Sequence, residues 1–249
     1  MKIAVHSDLH YEYNLLDDYC LIDLAFDVLI LAGDVAPICL LDSAFKSIRE
    51  RVGHKPIVFV PGNHEFYGYT LENGISEMKK ICKQNDINFL YRSVINIDGV
   101  MFVGCTLWSN MCAFRGYVDP LDKKTVTQKI ADFRKIDEWS VDKMIHEAKH
   151  DYDFIKMSMT PGSVIVTHFP PSIMLNDCSK MDLNILSSYF YNNYNSIFDK
   201  SNAPNFWIYG HTHLNLMRCF NNTLCTSNQH GYKRENQFNG YNQNFILEI

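Results

Sequence analysis

Five short apolar runs, each ending in polar or glycine residues, constrain this chain more than any other feature. The runs cover residues 3–5, 28–32, 57–60, 164–166 and 206–209. Apolar runs of this length that are rich in Val and Ile are typical of strands buried on both faces. Because helix-like stretches lie between several of them, the pattern predicts crossover units and a largely parallel or mixed sheet.

Further segments add helices and antiparallel pieces to this plan. Helical spacing predicts helices over residues 41–51, 70–84, 135–150 and the Asn- and Tyr-rich stretch 187–205. Apolar runs flank Asp98-Gly99 and Asn221-Asn222, which indicates two hairpins, and residues 244–249 read as a closing strand. We therefore expect an α/β fold in which two packed sheets carry helices on the outside. The length of 249 residues fits a single domain over 1–249. We offer as a hypothesis that residues 110–160 form a helical cap that sets substrate size.

Each of the five apolar runs is followed by residues of the types that commonly bind metal ions in proteins. In open α/β sheets, ligands bind at the carboxyl ends of the strands, so residues far apart in sequence are candidates for one site. The carboxylates, imidazoles and amide in these positions are Asp8, His10, Asp34, Asn63, His168, His211 and His213. Each short pattern is weak alone, since an isolated His or Gly-Asp pair is common. Five of them, all at strand ends, favour one metal site.

The spacing within the set suggests how the ligands are shared. Asp8 and His10 lie two apart on an extended segment, which predicts that they point to the same face. His211 and His213 have the same spacing. A carboxylate has two oxygens and can bridge two ions, so Asp34 is the natural bridge.

These segments resemble the calcineurin-like metallophosphoesterases. The resemblance rests on D-x-H at 8–10, G-D at 33–34, G-N-H-E at 62–65, T-H at 167–168 and G-H-T-H at 210–213. All five segments are present in order, and no metal-ligand position departs from the pattern. Residues 104–109 and 228–232 are also similar to a bacterial and phage branch of the family.

The resemblance implies a four-layer fold, with a two-sheet mixed β-sandwich flanked by helices on both outer faces. It also implies two divalent metal ions, with Asp34 shared between them. Asp8, His10 and His213 would complete one site, and Asn63, His168 and His211 the other. The two ions would activate a hydroxide that attacks a phosphomonoester or phosphodiester. His64 would contact the phosphate and protonate the leaving oxygen, a role that needs a carboxylate or carbonyl partner which the sequence does not identify.

Mixed oxygen and imidazole ligands favour manganese, with iron, zinc, cobalt or nickel as the alternatives. The formal net charge of −5 argues against tight, non-specific binding of duplex nucleic acid. The expected partner is a phosphorylated small molecule or nucleotide, and single-stranded nucleic acid stays open. No apolar run is long enough to span a bilayer. The scattered cysteines and the lack of a leader favour a cytoplasmic protein with reduced thiols.

Two alternatives to a phosphatase or phosphodiesterase remain. A nuclease would use the same metal centre, and a non-catalytic scaffold would be expected to have lost ligands. The remaining histidines are expected in structural or surface positions, with His6 beneath the site and His54, His146, His150 and His230 at the surface. Simple packing is the expected role of Phe66, Tyr67, Trp108 and Phe169, beside the metal-binding segments.

Overall fold

The computed structural model describes residues 1–14, 25–176, 183–235 and 238–249. The strands are β1 (Lys2–His6), β2 (Val28–Ala32), β3 (Ile57–Val60), β4 (Asn88–Phe89), β5 (Ser93–Ile97), β6 (Val100–Cys105), β7 (Val164–Thr167), β8 (Phe206–Tyr209), β9 (Met217–Phe220), β10 (Thr223–Ser227) and β11 (Ile246–Glu248). The helices are α1 (Ile38–Val52), α2 (Leu71–Gln84), α3 (Pro120–Lys129), α4 (Asp132–Lys135), α5 (Val141–Ser158) and α6 (Ser187–Phe190).

The strands form two mixed sheets. The first has the order β11-β1-β2-β3-β4, in which only β11 runs antiparallel to its neighbour. The second has the order β5-β6-β7-β8-β10-β9, with a parallel centre and antiparallel edge strands β5 and β9. Every strand that the sequence places before a predicted ligand is internal to its sheet and buried along its length apart from single end residues.

The two sheets pack face to face, and helices cover their outer faces. Alternate residues of the central strands, such as Val5 and Ile30 from the first sheet and Val166 and Ile208 from the second, form the apolar layer between the sheets. The opposite face of the first sheet packs in one apolar cluster with α1 and α2. The opposite face of the second packs against α5 through Ile155. The predicted two-sheet sandwich is therefore confirmed.

The first two predicted helices are confirmed as α1 and α2. Thr70 is the N-cap of α2, and its side-chain oxygen accepts a hydrogen bond from the Asn73 backbone N–H. The bounds predicted for the third helix, 135–150, are wrong. The short helix α4 ends at Lys135, and α5 starts only after Ser140, whose side chain caps it by accepting from the Lys143 N–H.

The long helix predicted over residues 187–205 is wrong. The helix α6 stops at Phe190, and the chain then turns extended at Tyr191. The cause is Asn192, whose buried amide donates to the carbonyls of Leu107 and Pro170 and accepts from the Asn110 N–H. Asparagine side chains that bond to backbone groups in this way compete with helix formation.

Both predicted hairpins and the closing strand are present. Asp98 and Gly99 have positive φ angles of 50° and 86° between β5 and β6, as a two-residue type I′ turn requires. Asn221 has a φ of 50° between β9 and β10. The strand β11 pairs with β1.

Residues 110–160 contain α3, α4 and α5. The last of these belongs to the helical layer over the second sheet, while α3 packs on α5. That this segment sets substrate size stays a prediction. Among the described residues, no helix combines the length and the hydropathy needed to cross a bilayer.

Candidate metal centre

The seven predicted ligands lie together at one end of the sandwich. The loops after β1, β2 and β3 bring four of them from the first sheet, and the loops after β7 and β8 bring three from the second. Six of the seven are buried, and His213 is partly exposed. The site is therefore assembled across the two sheets, from residues separated by up to 205 positions.

Five of these residues have left-handed backbone conformations. The φ angles are 54° at Asp8, 46° at His10, 52° at Asp34, 76° at His211 and 53° at His213. The extended geometry predicted for the D-x-H and H-x-H pairs is therefore wrong. Asp8 and His10 still converge on one point, whereas His213 groups with them and His211 groups with Asp34 and His168. Non-glycine residues with positive φ are uncommon, and they concentrate at functional sites where the surrounding structure compensates for the strain.

Glycines make room for this arrangement. A Cβ atom on Gly33 would lie under 3.0 Å from the His168 ring, and one on Gly62 would collide with the Asp34 carboxylate. Gly33 also has a φ of 88°, which glycine adopts without strain. The glycines before the predicted ligands are thus required by close contact with other ligands.

The ligand atoms converge in overlapping groups. Asp8, His10 and His213 offer donor atoms within 4.8 Å of one another, and so do Asp34, His168 and His211. His10 Nε2 lies 3.0 Å from His213 Nε2, and the Asp34 Oδ2 atom lies 3.3 Å from His168 Nε2 and 3.9 Å from His10 Nε2. Asp34 therefore stands between the two groups, as a bridging ligand would.

The donor chemistry of this set fits divalent cations. His211 Nε2 is buried and, within the described residues, makes no hydrogen bond. Burial and the neighbouring His168 hold the pKa of His211 well below its ordinary value, so its ring is neutral, the form that binds a metal. An unpaired buried nitrogen is costly without a partner, and a cation held between these imidazoles and carboxylates would satisfy it.

A sequence model described as calcineurin-like phosphoesterase matches residues 1–215. The chain belongs to this family. It is therefore a phosphoester hydrolase by family, and the family implies divalent metal ions.

The chain is also similar to several known proteins. The chain is 26% identical to "Uncharacterized protein L509" of Acanthamoeba polyphaga mimivirus, over 94% of this chain and 93% of that protein. The solved structure of phosphopantetheinyl hydrolase from Mycobacterium tuberculosis has a TM-score of 0.77 at 17% identity, covering 100% of this chain and 95% of the other. TT1561 of Thermus thermophilus has a TM-score of 0.53 at 11% identity, with coverage of 93% and 89%. At these identities the two structures show the shared fold.

His64 lies beside the predicted ligands and has a carboxylate partner, Glu12. The Glu12 Oε1 atom lies 2.8 Å from His64 Nδ1 and 3.2 Å from His10 Nδ1, so one carboxylate orients both rings. Burial opposes ionisation of Glu12, but hydrogen bonds to the two imidazoles lower its pKa to about 2. Burial lowers the pKa of His64, but the charge of Asp34 and the bond to Glu12 outweigh it, so the net shift is upward. Glu12 was not identified from sequence, although it follows His10 by two residues.

Two further glutamates fix the loops that carry the ligands. The buried Glu65 carboxylate accepts from the N–H groups of Asp34 (3.0 Å), Val35 (2.7 Å), Ala36 (3.2 Å) and Gly62 (2.6 Å), and so joins two loops. The Glu235 Oε2 atom lies 2.5 Å from His213 Nδ1, so Nε2 of that ring faces Asp8. Such partners set the orientation of metal-binding imidazoles.

Asp132 reaches the site from the 110–160 segment. Its buried carboxylate accepts from the Asn63 amide at 3.0 Å, from the Tyr67 hydroxyl at 2.9 Å and from the Tyr189 hydroxyl at 2.5 Å. Because the Asn63 nitrogen faces Asp132, its Oδ1 atom faces His168 at 3.1 Å. The sequence carries no signal for this contact, since Asp132 lies in a helix far from the metal-binding segments.

A cavity of about 320 Å³ opens over the predicted ligands. Aromatic side chains form much of its wall, namely Tyr67, Tyr189, Phe190, Tyr191 and Tyr232. Packing is confirmed as the role of Phe66, Trp108 and Phe169, which are fully buried, whereas Tyr67 lines the cavity and contacts the His64 ring at a tilt of 35°.

The other histidines are placed as expected except one. His6 is buried beneath the site, 3.1 Å from the Tyr241 hydroxyl, and His54, His146 and His150 are exposed. The surface position predicted for His230 is wrong, because it is buried beside Tyr241 and Asn14.

Proposed function

We propose that this chain hydrolyses a phosphomonoester or phosphodiester with two divalent metal ions. Asp8, His10, Asp34 and His213 would hold one ion, and Asp34, Asn63, His168 and His211 the other. One observation carries this proposal: the Asp34 carboxylate lies beside both His10 and His168, so it can serve two sites at once.

When bound, the two ions would favour hydroxide over water at neutral pH and neutralise charge on the phosphoryl oxygens. The chain's own part is to hold the donors in fixed positions. Glu12, Glu65, Glu235 and Asp132 fix the orientation of ligands through hydrogen bonds, and the strained backbone is held by the packed loops. Preorganisation of this kind reduces the cost of rearrangement during the reaction.

We assign His64 as the acid that protonates the leaving oxygen. Its Nδ1 atom is held by Glu12, which leaves Nε2 directed towards Asp34 at 3.9 Å and the cavity. The hydrogen bond to Glu12 favours the protonated ring, whereas cations bound beside Asp34 would favour the neutral one. Geometry therefore carries this assignment.

Manganese is the metal that we favour, with iron, zinc, cobalt and nickel as alternatives, because the donors mix imidazole nitrogens with oxygens. The substrate is a small phosphorylated molecule or nucleotide. A cytoplasmic location stays a prediction from cysteine usage, which is supported by six unpaired cysteines among the described residues.

Hydrolysis assays test this proposal against the scaffold alternative. The purified protein is incubated with manganese and with p-nitrophenyl phosphate and bis(p-nitrophenyl) phosphate, and nitrophenolate release is followed. We expect hydrolysis of at least one substrate that is lost on chelation and abolished in Asp34→Asn. Absence of both bound metal and hydrolysis across the panel would favour the scaffold, and full metal-dependent activity in Asp34→Asn would refute the bridging role.

A further inference from the structure

A row of five aromatic rings runs from the cavity across the site to the surface. Ring centroids lie 4.4 Å apart from Tyr67 to His64, 4.4 Å from His64 to His10, 4.8 Å from His10 to Tyr232 and 5.5 Å from Tyr232 to Tyr13. The row begins at the wall beside the proposed acid and passes the predicted metal ligands. It ends at two tyrosines that have no place in the proposed chemistry.

The outer end of the row is exposed and lies beside positive charge. Tyr13 is 57% exposed and Tyr232 is 37% exposed, which is unusual for large side chains that contact a buried site. A second cavity of about 460 Å³ is lined by Tyr13, Tyr232, Lys233, Arg234 and Glu235. Tyr232 and Glu235 line both cavities, so the two lie side by side.

Charge differs between the two cavities. We call the cavity over the predicted ligands the inner cavity and the one beside Lys233 and Arg234 the outer cavity. The carboxylates of Asp34, Asp132 and Glu235 line the inner cavity, and none of its lining residues is Lys or Arg. The outer cavity is lined by the cations of Lys233 and Arg234 besides the Glu235 carboxylate. A phosphomonoester has no second ester group to occupy this outer cavity, whereas a phosphodiester has one.

We propose that the site acts on nucleotidyl phosphodiesters, with a nucleoside in the outer cavity. This inference rests on the proposed hydrolysis and adds its substrate class. The leaving group would lie beside His64 and Tyr67, because the proposed acid must reach the leaving oxygen. The other ester group then lies past His10, where a base stacks on Tyr13, the more exposed of the two rings, and a further phosphate meets Arg234 and Lys233.

Three substrates with a common p-nitrophenolate leaving group test this assignment. Their second ester group is ethyl, thymidine through its 5′ oxygen, or thymidine carrying a 3′ phosphate. Because the bond that breaks is the same, differences in kcat/KM report contacts with the second group. The wild-type protein with manganese should prefer thymidine over ethyl by at least about tenfold, since stacking of one base is worth this much or more. Its kcat/KM should be higher still for the thymidine ester that carries the 3′ phosphate.

Variants separate the base contact from the phosphate contact. Tyr13→Ala should lower the thymidine-to-ethyl ratio about tenfold, whereas Tyr13→Phe, which keeps the ring, should retain it. Arg234→Gln should lower only the gain from the 3′ phosphate. Tyr117→Ala removes a tyrosine that is 58% exposed and lines neither cavity, and Lys79→Gln removes an exposed cation from α2, so both serve as matched controls.

The outcomes distinguish the two proposals. Equal kcat/KM for the ethyl and thymidine esters, or a ratio that Tyr13→Ala does not change, would overturn the nucleotidyl assignment and leave the proposed hydrolysis intact. Failure of the wild-type protein to cleave any of the three esters, while it hydrolyses p-nitrophenyl phosphate with added metal, would also overturn the nucleotidyl assignment alone. Failure on p-nitrophenyl phosphate as well would overturn the proposed hydrolysis itself, and the assignment with it.

Discussion

Carboxylates outside the ligand set orient the imidazoles of this site. Glu12 holds His10 and His64, and Glu235 holds His213, so three rings have one nitrogen fixed and the other free to face the site. A ring fixed in this way keeps one tautomer and one orientation. The arrangement gives the proposed acid a defined position before substrate arrives.

Replacing the proposed acid should affect substrates according to their leaving group. His64→Asn should slow hydrolysis of an alkyl phosphate ester by about 10²–10⁴-fold, because an alkoxide needs a proton as it leaves. A p-nitrophenyl ester should be affected far less, because nitrophenolate leaves without a proton. At saturating manganese, which offsets weaker metal binding through His10, Glu12→Gln should show the same leaving-group dependence at about 10–100-fold. Rates for a series of esters, with metal content measured in parallel, check this; equal losses for alkyl and aryl esters would contradict it.

Asp132 should act on metal binding through Asn63. In Asp132→Asn the new amide can face Asn63 with an N–H group, so the Asn63 oxygen loses its fixed direction and metal affinity should fall about 10–100-fold. Titration calorimetry with manganese measures this directly. Asp122→Asn is the matched control, because Asp122 is also buried in the 110–160 segment but bonds to Arg115. Equal manganese affinities in Asp132→Asn and Asp122→Asn would rule out a role of Asp132 in positioning Asn63.

Crowding at Gly33 can be separated from backbone strain. Gly33 and Gly162 have φ angles of 88° and 86°, but a Cβ on Gly33 would meet the His168 ring, whereas one on Gly162 meets nothing within 4 Å. Both alanine variants should lose about 1–2 kcal/mol of unfolding free energy from the left-handed conformation. Gly33→Ala should lose about 1–3 kcal/mol more from overpacking. Urea unfolding of both proteins measures the difference, and similar losses would show that the close approach is unimportant.

At the scale of elements, Arg92 and Asp151 tie helix α5 to the second sheet. Arg92 precedes β5 and contacts both Asp151 and Glu147 of α5, and the Asp151 carboxylate also accepts from the Trp108 N–H at 3.3 Å. Asp151 is fully buried. Burial raises its pKa to about 6, although Arg92 opposes that shift.

This pKa makes the stability of the α5 contact depend on pH. Since the folded-state pKa lies above the ordinary value, the folded protein binds the Asp151 proton more tightly than the unfolded chain does. The stability gained from this proton is fully present below about pH 4 and is lost as pH rises through 6. Asp151→Asn removes this dependence. The variant should therefore gain stability relative to wild type, by up to about 3 kcal/mol, between pH 4 and pH 7.

Urea unfolding of both proteins at pH 4, 5, 6 and 7 measures the gain. Asp142→Asn, an exposed change on the same helix, serves as the control. A stability difference between Asp151→Asn and wild type that stays constant with pH would contradict the assignment.

The sequence predicted elements whose cause is local and missed those whose cause is tertiary. Short apolar runs located every strand that precedes a ligand, and the Asp98-Gly99 turn located the first hairpin. The helix predicted over 187–205 failed because Asn192 bonds to loops that are distant in sequence. The start of α5 was missed because Ser140, a good N-cap, lies inside a run that reads as helical.

At the scale of the molecule, the site joins the two sheets. Loops after β1, β2 and β3 meet loops after β7 and β8, and the His211 N–H donates to Asp8 at 3.0 Å across the junction. The convergence of the predicted ligands could be read from the sequence because each follows a strand. The orienting residues Glu12 and Asp132 could not, since their contacts depend on how loops pack. Because the predicted ligands come from both sheets, a metal that binds the folded chain and not the unfolded one should stabilise the whole sandwich.

Metal stoichiometry tests the central claim most directly. The chain is stripped of metal, titrated with manganese by calorimetry, and analysed for bound metal after dialysis. We predict two equivalents for wild type and for Asp142→Asn, and weaker binding with fewer than two equivalents for Asp34→Asn. A single equivalent in wild type, or two equivalents held with unchanged affinity in Asp34→Asn, would contradict a two-metal centre bridged by Asp34.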